Sequence, residues 1–176
     1  MPDANLGSQL SSVIDRMLEQ CGAGAAGLTA EQLRDSQGGK SNSPGFDVWH
    51  VARTVDNVIH FVFSREKPVW LEMNLPEEWD LPKNDQGTGM DEAVAHALVF
   101  PEAAELTRYI EGVRSAVVPK IAAMSDEYLW EIVKIVPFGE MPRVQTILQV
   151  LVGHGNGHLG RVDHQRALLG LEGLGF

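Results

Sequence analysis

Apolar residues recur at helical spacing in four long stretches of this chain. From Asn5 to Gln20, positions Leu6, Leu10, Val13, Ile14, Met17 and Leu18 share one face, and Gly22 to Gly27 predicts a break. Ser43-Pro44-Gly45 reads as a helix start, because proline fits a first turn. The helix that follows is predicted from Phe46 to Arg65, with an apolar ladder from Val48 to Val62. Apolar all round, it belongs at the centre of the molecule rather than on its surface. A third helix is predicted from Glu102 to Ala123, with Leu106, Tyr109, Ile110 and Val113 inward and a kink at Pro119. A fourth begins near Met141 and runs to about Leu169, where Gly170 and Gly173 end it.

Between these lie shorter pieces. Thr29 and Gln32 form a capping-box pattern, and Ser36 to Pro44 reads as a polar loop. The stretch from Lys67 to Gly89 carries three prolines but also Trp70 and Trp79. Disordered segments are poor in large aromatics, so an ordered crossover is expected, one that roofs a pocket. Ser125 to Tyr128 reads as a capped turn, and Pro137 to Pro142 as a loop. Four long helices with one long crossover, between the second and third, predict an all-α four-helix bundle. The 176 residues are expected to form a single domain, residues 1–176.

Composition narrows the function. A net charge of −10 leaves no basic patch to meet phosphates, which argues against nucleic acid and anionic membranes as partners. The longest apolar run, Ile147 to Val152, is far below the ~20 residues of a membrane span. One cysteine, Cys21, excludes an intrachain disulfide and is read as a surface thiol. Together with the absence of basic and apolar leader features in Met1-Pro-Asp-Ala-Asn, this predicts a cytoplasmic protein.

The chemistry concentrates in Gly153-His154-Gly155-Asn156-Gly157-His158. On a helix, four residues are about 400° of rotation and about 6 Å of rise, so both imidazoles leave one face. That is how a helix offers two nitrogen ligands to one divalent ion. His50, inward on the apolar second helix, is the best third ligand. His60 lies about 80° off that face and is expected to pack. The alternative is a loop in which the histidine spacing carries no meaning. Two decoys fall away. Gly155-x-Gly157-x-x-Gly160 matches a dinucleotide fingerprint but lacks the surrounding βαβ unit. The second position of His154-x-x-x-His158 is Gly155, so the general base of a zincin protease is missing. Gly153, Gly157 and Gly160 share one stripe, which predicts a close approach by a neighbouring helix, the second one.

Taken together, several motifs carry a resemblance. They are Trp49-His50-x-x-Arg53-x-x-Asp56, Glu78-Trp79-Asp80-Leu81-Pro82, Gly87-Thr88-Gly89-Met90-Asp91-Glu92, and His154-x3-His158-Leu-Gly-Arg161 continuing to Leu169-Gly170. In this order they resemble the DinB-like (DinB/YfiT) superfamily, from about Ser8 to Gly170. The resemblance implies an up-down-down-up four-helix bundle and a three-histidine metal site, which falls here on His50, His154 and His158. It also implies a divalent zinc, nickel or iron ion and a small-molecule ligand. In some members it implies a low-molecular-weight thiol used by a transferase or isomerase, and dimers are common. Three imidazoles leave open positions on an ion, which suits ligand binding or catalysis better than a closed structural site. Arg53 and Asn57, one and two turns from His50, are expected to orient the ligand. The alternative pairs Arg53 and Asp56 with each other, or with Asp163 and Arg161. A non-catalytic, metal-binding or stress-associated scaffold is the opposing functional reading.

Overall fold

A computed structural model describes residues 5–175; the Met1–Ala4 segment considered above for targeting signals lies outside the described residues, as does Phe176. The first helix, α1 (Leu6–Ala25), starts where the Asn5 side chain accepts a hydrogen bond from Ser8 N–H at 2.8 Å. It runs past the break expected at Gly22, because Gly22 and Gly24 are buried at helix contacts. A Cβ on Gly24 would meet Val162 at 3.1 Å and Val48 at 3.3 Å. The left-handed φ of +76° at Gly27 marks the real turn. The short α2 (Ala30–Arg34) carries both bonds of the capping box between Thr29 and Gln32.

The central helix α3 (Pro44–Asp56) is capped by Ser43 and buries every residue, as its all-round apolar pattern predicts. It continues as a π-helical segment, Asn57–Val62. The crossover is ordered and holds α4 (Val69–Glu72) and α5 (Leu75–Trp79), the latter flanked by Asn74 and Asp80 in left-handed conformation. Asp56 fastens this crossover to the core. Its wholly buried carboxylate accepts from Val69 N–H at 2.9 Å, Trp70 N–H at 2.8 Å and the Tyr109 hydroxyl at 3.0 Å. His60 packs inside, as expected, and its Nδ1 lies 2.8 Å from the same carboxylate. Trp70, Trp79 and Tyr109 stack edge to face around this point, with ring centres 5.3–6.0 Å apart.

After α6 (Glu92–Ala97), the long α7 (Ala103–Ala122) lies along α1. Then come α8 (Asp126–Trp130) and a two-stranded antiparallel hairpin, β1 (Ile132–Ile135) and β2 (Gly139–Pro142), in register Ile132 to Pro142. This hairpin stands where a turn and a loop were expected. Ile132, Val136 and Phe138 face outward while Ile135 and Met141 enter the core, so the short strands show no simple apolar alternation. The last long segment is α9 (Arg143–Gln145), a π-helical stretch Thr146–Gly153, and α10 (His154–Leu168). α3 packs on α1, α7 and α10 and so lies at the centre of the helical assembly. Cys21, expected at the surface, is fully buried, and its Sγ–H points at the Val48 carbonyl at 3.3 Å. No helix among the described residues is long and apolar enough to cross a membrane.

Candidate metal centre

The three sequence-predicted histidines meet. His50 comes from the middle of α3, and His154 and His158 come from the first turns of α10. His154 Nε2 lies 3.3 Å from His50 Nε2 and 2.9 Å from His158 Nε2. His50 and His158 are buried at 2% and 8% exposure, while His154 is half-buried. Their ligand atoms all lie within 4.8 Å of one another.

The outer nitrogens of His50 and His158 have acceptors. His50 Nδ1 faces the Gln86 carbonyl of the crossover. His158 Nδ1 lies 2.7 Å from the Asp47 carboxylate. His154 has a backbone bond to Val150. With Nδ1–H of His50 committed to Gln86 and that of His158 to Asp47, whose other face Arg161 holds, their Nε2 lone pairs face the volume that His154 Nε2 also enters. Three acceptors facing one another repel unless a cation stands between them. Metal–nitrogen bonds of about 2.0–2.1 Å place ligand nitrogens roughly 2.9–3.4 Å apart, so the observed spacings suit one ion.

Electrostatics keep the rings in the ligand form. Burial pushes His50 down to about 4, with help from the neighbouring imidazoles. Burial also lowers His154, and the charges of His158 and Arg161 add to this. For Asp47, burial alone would raise the carboxyl, but hydrogen bonds from His158 and Arg161 outweigh it and hold the group below its usual range. Arg161 grips that carboxylate bidentately, with Nε at 3.0 Å and Nη2 at 2.9 Å.

A family model described as the DinB superfamily matches residues 14–162. The chain belongs to the DinB superfamily. One solved structure, the conserved protein of a locus from Enterococcus faecalis, shares 20% identity and a TM-score of 0.79 with it. The match covers 94% of this chain and 98% of that one, and it establishes the fold. No curated protein matches.

In this DinB superfamily chain, the residues around the histidines include several that sequence reasoning missed. Asp47 is one, although its place three residues before His50 put it on the same helix face. Gln86 and Gly87 are others. Gly87 has φ +94°, and a Cβ there would stand 2.8 Å from Phe46 and 3.1 Å from His50 Nδ1. Only glycine lets the crossover lie flat enough on His50 to present the Gln86 carbonyl.

The glycines of α10 need a correction. Gly157 and Gly160 face open space, and Gly153 meets only the Leu148 carbonyl of its own helix, at 3.3 Å. The close approach is at Gly155 instead; α1 comes nearest there, and the second helix, α3, stands beside it with Val51 Cγ1 at 3.6 Å from a Cβ at that position. A Cβ there would lie 2.7 Å from Met17 Sδ.

A cavity of about 350 Å³ opens beside His154. Asn57, Val58, Phe61 and Val62 of one π segment and Val150 of the other line it, so both π segments meet at the cavity. Such insertions are frequent at functional sites. Its roof is Asn84, Gln86 and Thr88, rather than the Trp70–Trp79 stretch that was expected there. Trp70 is buried in the core beneath. Asn57 is part of the wall and Arg53 is not. Arg53 is 2% exposed, lies 5.0 Å from the Trp70 ring centre and reaches Asp56 at 4.0 Å. Of the cross-helix pairings considered, Arg161 goes to Asp47, and Asp163 accepts from Leu174 N–H at 2.6 Å.

Proposed function

We propose that this chain holds one divalent metal ion through His50, His154 and His158 and acts on a small molecule bound in the adjoining cavity. The observation that carries this reading is the convergence of three Nε2 atoms, with the His50 and His158 rings each held by an acceptor on the opposite nitrogen. Zinc, nickel and iron all suit such a donor set. A bound ion with open positions supplies Lewis acidity toward a thiol, water or carbonyl.

The chain's own residues have distinct tasks in this reading. His50 and His154 stay neutral, and Asp47 orients His158 while remaining charged. Asn57 orients the ligand from the cavity wall. Arg53 supports the same helix from behind, through Trp70 and Asp56. Cys21 is buried, and burial raises its thiol, so a reacting thiol has to come from a small molecule. The reaction class that fits is a transferase or isomerase using a low-molecular-weight thiol. An up-down-down-up four-helix bundle, forming a homodimer in the cytoplasm, completes the reading.

The test is turnover of an electrophile such as 1-chloro-2,4-dinitrobenzene or a maleyl compound with low-molecular-weight thiols. Metal-dependent turnover, lost in His50→Ala, is the expected result. A chain that binds metal but turns over no thiol–electrophile pair is a non-catalytic metal-binding scaffold instead.

A further inference from the structure

The cavity beside His154 is unlike the rest of the molecule in charge. The chain carries 24 acidic residues, yet none of them lines this cavity. Two cations do, Arg65 and Lys134. Neither pairs with a carboxylate among the described residues. Glu140 stands opposite Lys134 in the hairpin register and still makes no ion pair with it. The guanidinium of Arg65 rests over the Phe61 ring, 5.4 Å from its centre. That contact leaves the N–H edges of the guanidinium unspent, since a stacked cation keeps its in-plane donors.

Two amides on the same walls are also uncommitted. Asn57 and Asn84 line the cavity, and their side chains make no hydrogen bond among the described residues. The other surface is apolar and open. Val136, Phe138 and Phe61 are 79%, 50% and 48% exposed, and all three face this cavity. Exposed apolar side chains around idle donors mark a surface built to be covered by a ligand.

We infer that the cavity takes a small organic anion, with its carboxylate or phosphate between Arg65 and Lys134 and its apolar body on Phe61, Val136 and Phe138. The inference rests on the proposed role of the cavity as the substrate site of the metal centre. It adds what that site selects: an anionic, amphipathic molecule whose other end reaches His154. A cationic or doubly neutral ligand leaves Arg65 and Lys134 without a partner and is disfavoured.

The experiment uses metal-stripped protein, so that the anion cannot bind the ion. Calorimetric titrations compare 4-phenylbutyrate with its uncharged amide, in wild type, Arg65→Asn and Lys134→Gln. Both positions are exposed, so the variants keep the fold, and asparagine tolerates the positive φ at position 65. The carboxylate is expected to bind about 10-fold tighter than the amide, and each variant to weaken the carboxylate about 5-fold while leaving the amide unchanged. Equal binding of the two probes overturns the inference, as does carboxylate binding indifferent to both substitutions, or binding of neither probe at millimolar concentration. A zinc titration of the same batch reports on the three histidines separately. Zinc bound without anion selection leaves the metal site standing alone, and anion selection without zinc leaves the anion site standing alone.

Discussion

The Asp47 carboxylate lies 2.7 Å from His158 Nδ1, on the side of the ring opposite the converging Nε2 atoms. The pair spans 111 positions of sequence and ties α3 to α10 at the point where the ligands meet. A carboxylate in this place fixes the ring's tautomer, raises its basicity and sets its aim.

Asp47→Ala is therefore expected to weaken metal binding by roughly 10–100-fold while the three ligands stay present. Arg161, 43% exposed in its side chain, can turn to water when its partner goes, so folding survives. A competitive chelator titration, with circular dichroism as the folding control, measures this. Unchanged affinity would show that His158 needs no partner.

Gly87 offers a second handle. Alanine there meets both a positive φ and a Cβ contact at 2.8 Å, so the crossover has to lift from His50. Gly87→Ala is expected to lower stability by about 1–3 kcal/mol and to weaken metal binding as well. Gly157→Ala makes the opposite case, because nothing stands within 4 Å of the new methyl. It is expected to raise stability by up to about 1 kcal/mol through helix propensity, with metal binding intact. Thermal melts of the two variants, read side by side, separate a glycine required by geometry from one that is not.

The contrast between those glycines shows how far the sequence could be read. The ligand trio was legible because helical spacing alone puts His154 and His158 on one face, and an all-round apolar helix turns His50 inward. The long helices followed from their apolar periods for the same reason. What stayed hidden depended on tertiary contact or on backbone form. The stripe drawn through Gly153, Gly157 and Gly160 met no neighbouring helix, because the face of α10 that packs inward carries Gly155, His158, Leu159 and Val162. Asp47, in the first turn of α3, shows its partner only once α10 is placed against it. Gln86 contributes a backbone carbonyl, which no side-chain pattern encodes. The hairpin escaped notice because its strands are four residues each and mix exposed Ile132 with buried Ile135 and Met141, too short a pattern to read as alternation.

Acid should destabilise the metal-free protein in a defined window. Folded His50 resists protonation down to about pH 4, whereas an unfolded imidazole takes up a proton near 6.5. Below 6.5 the unfolded state gains protons that the folded state refuses, so stability is full above that pH and falls as pH drops toward 4. Asp47, held below the usual carboxylate range, adds its own loss only at lower pH. Denaturant midpoints of chelator-treated protein between pH 7 and pH 4 are expected to decline, and replacing His50 with glutamine should flatten that decline. A slope unaffected by the substitution would place the titrating group elsewhere.

Asp56 is the structural counterpart of Asp47. It accepts four hydrogen bonds from the crossover, Tyr109 and His60 while wholly buried. Asp56→Ala strands those donors and is expected to cost about 3–5 kcal/mol, far more than Asp47→Ala, as measured by urea unfolding.

The most direct measurement is elemental analysis of the purified chain beside His158→Ala. About one divalent ion per chain in the wild type, with occupancy sharply reduced in the variant, is the expected result. Wild-type protein that carries no metal and shows no thermal shift on adding Zn²⁺ or Ni²⁺ would contradict the three-histidine centre.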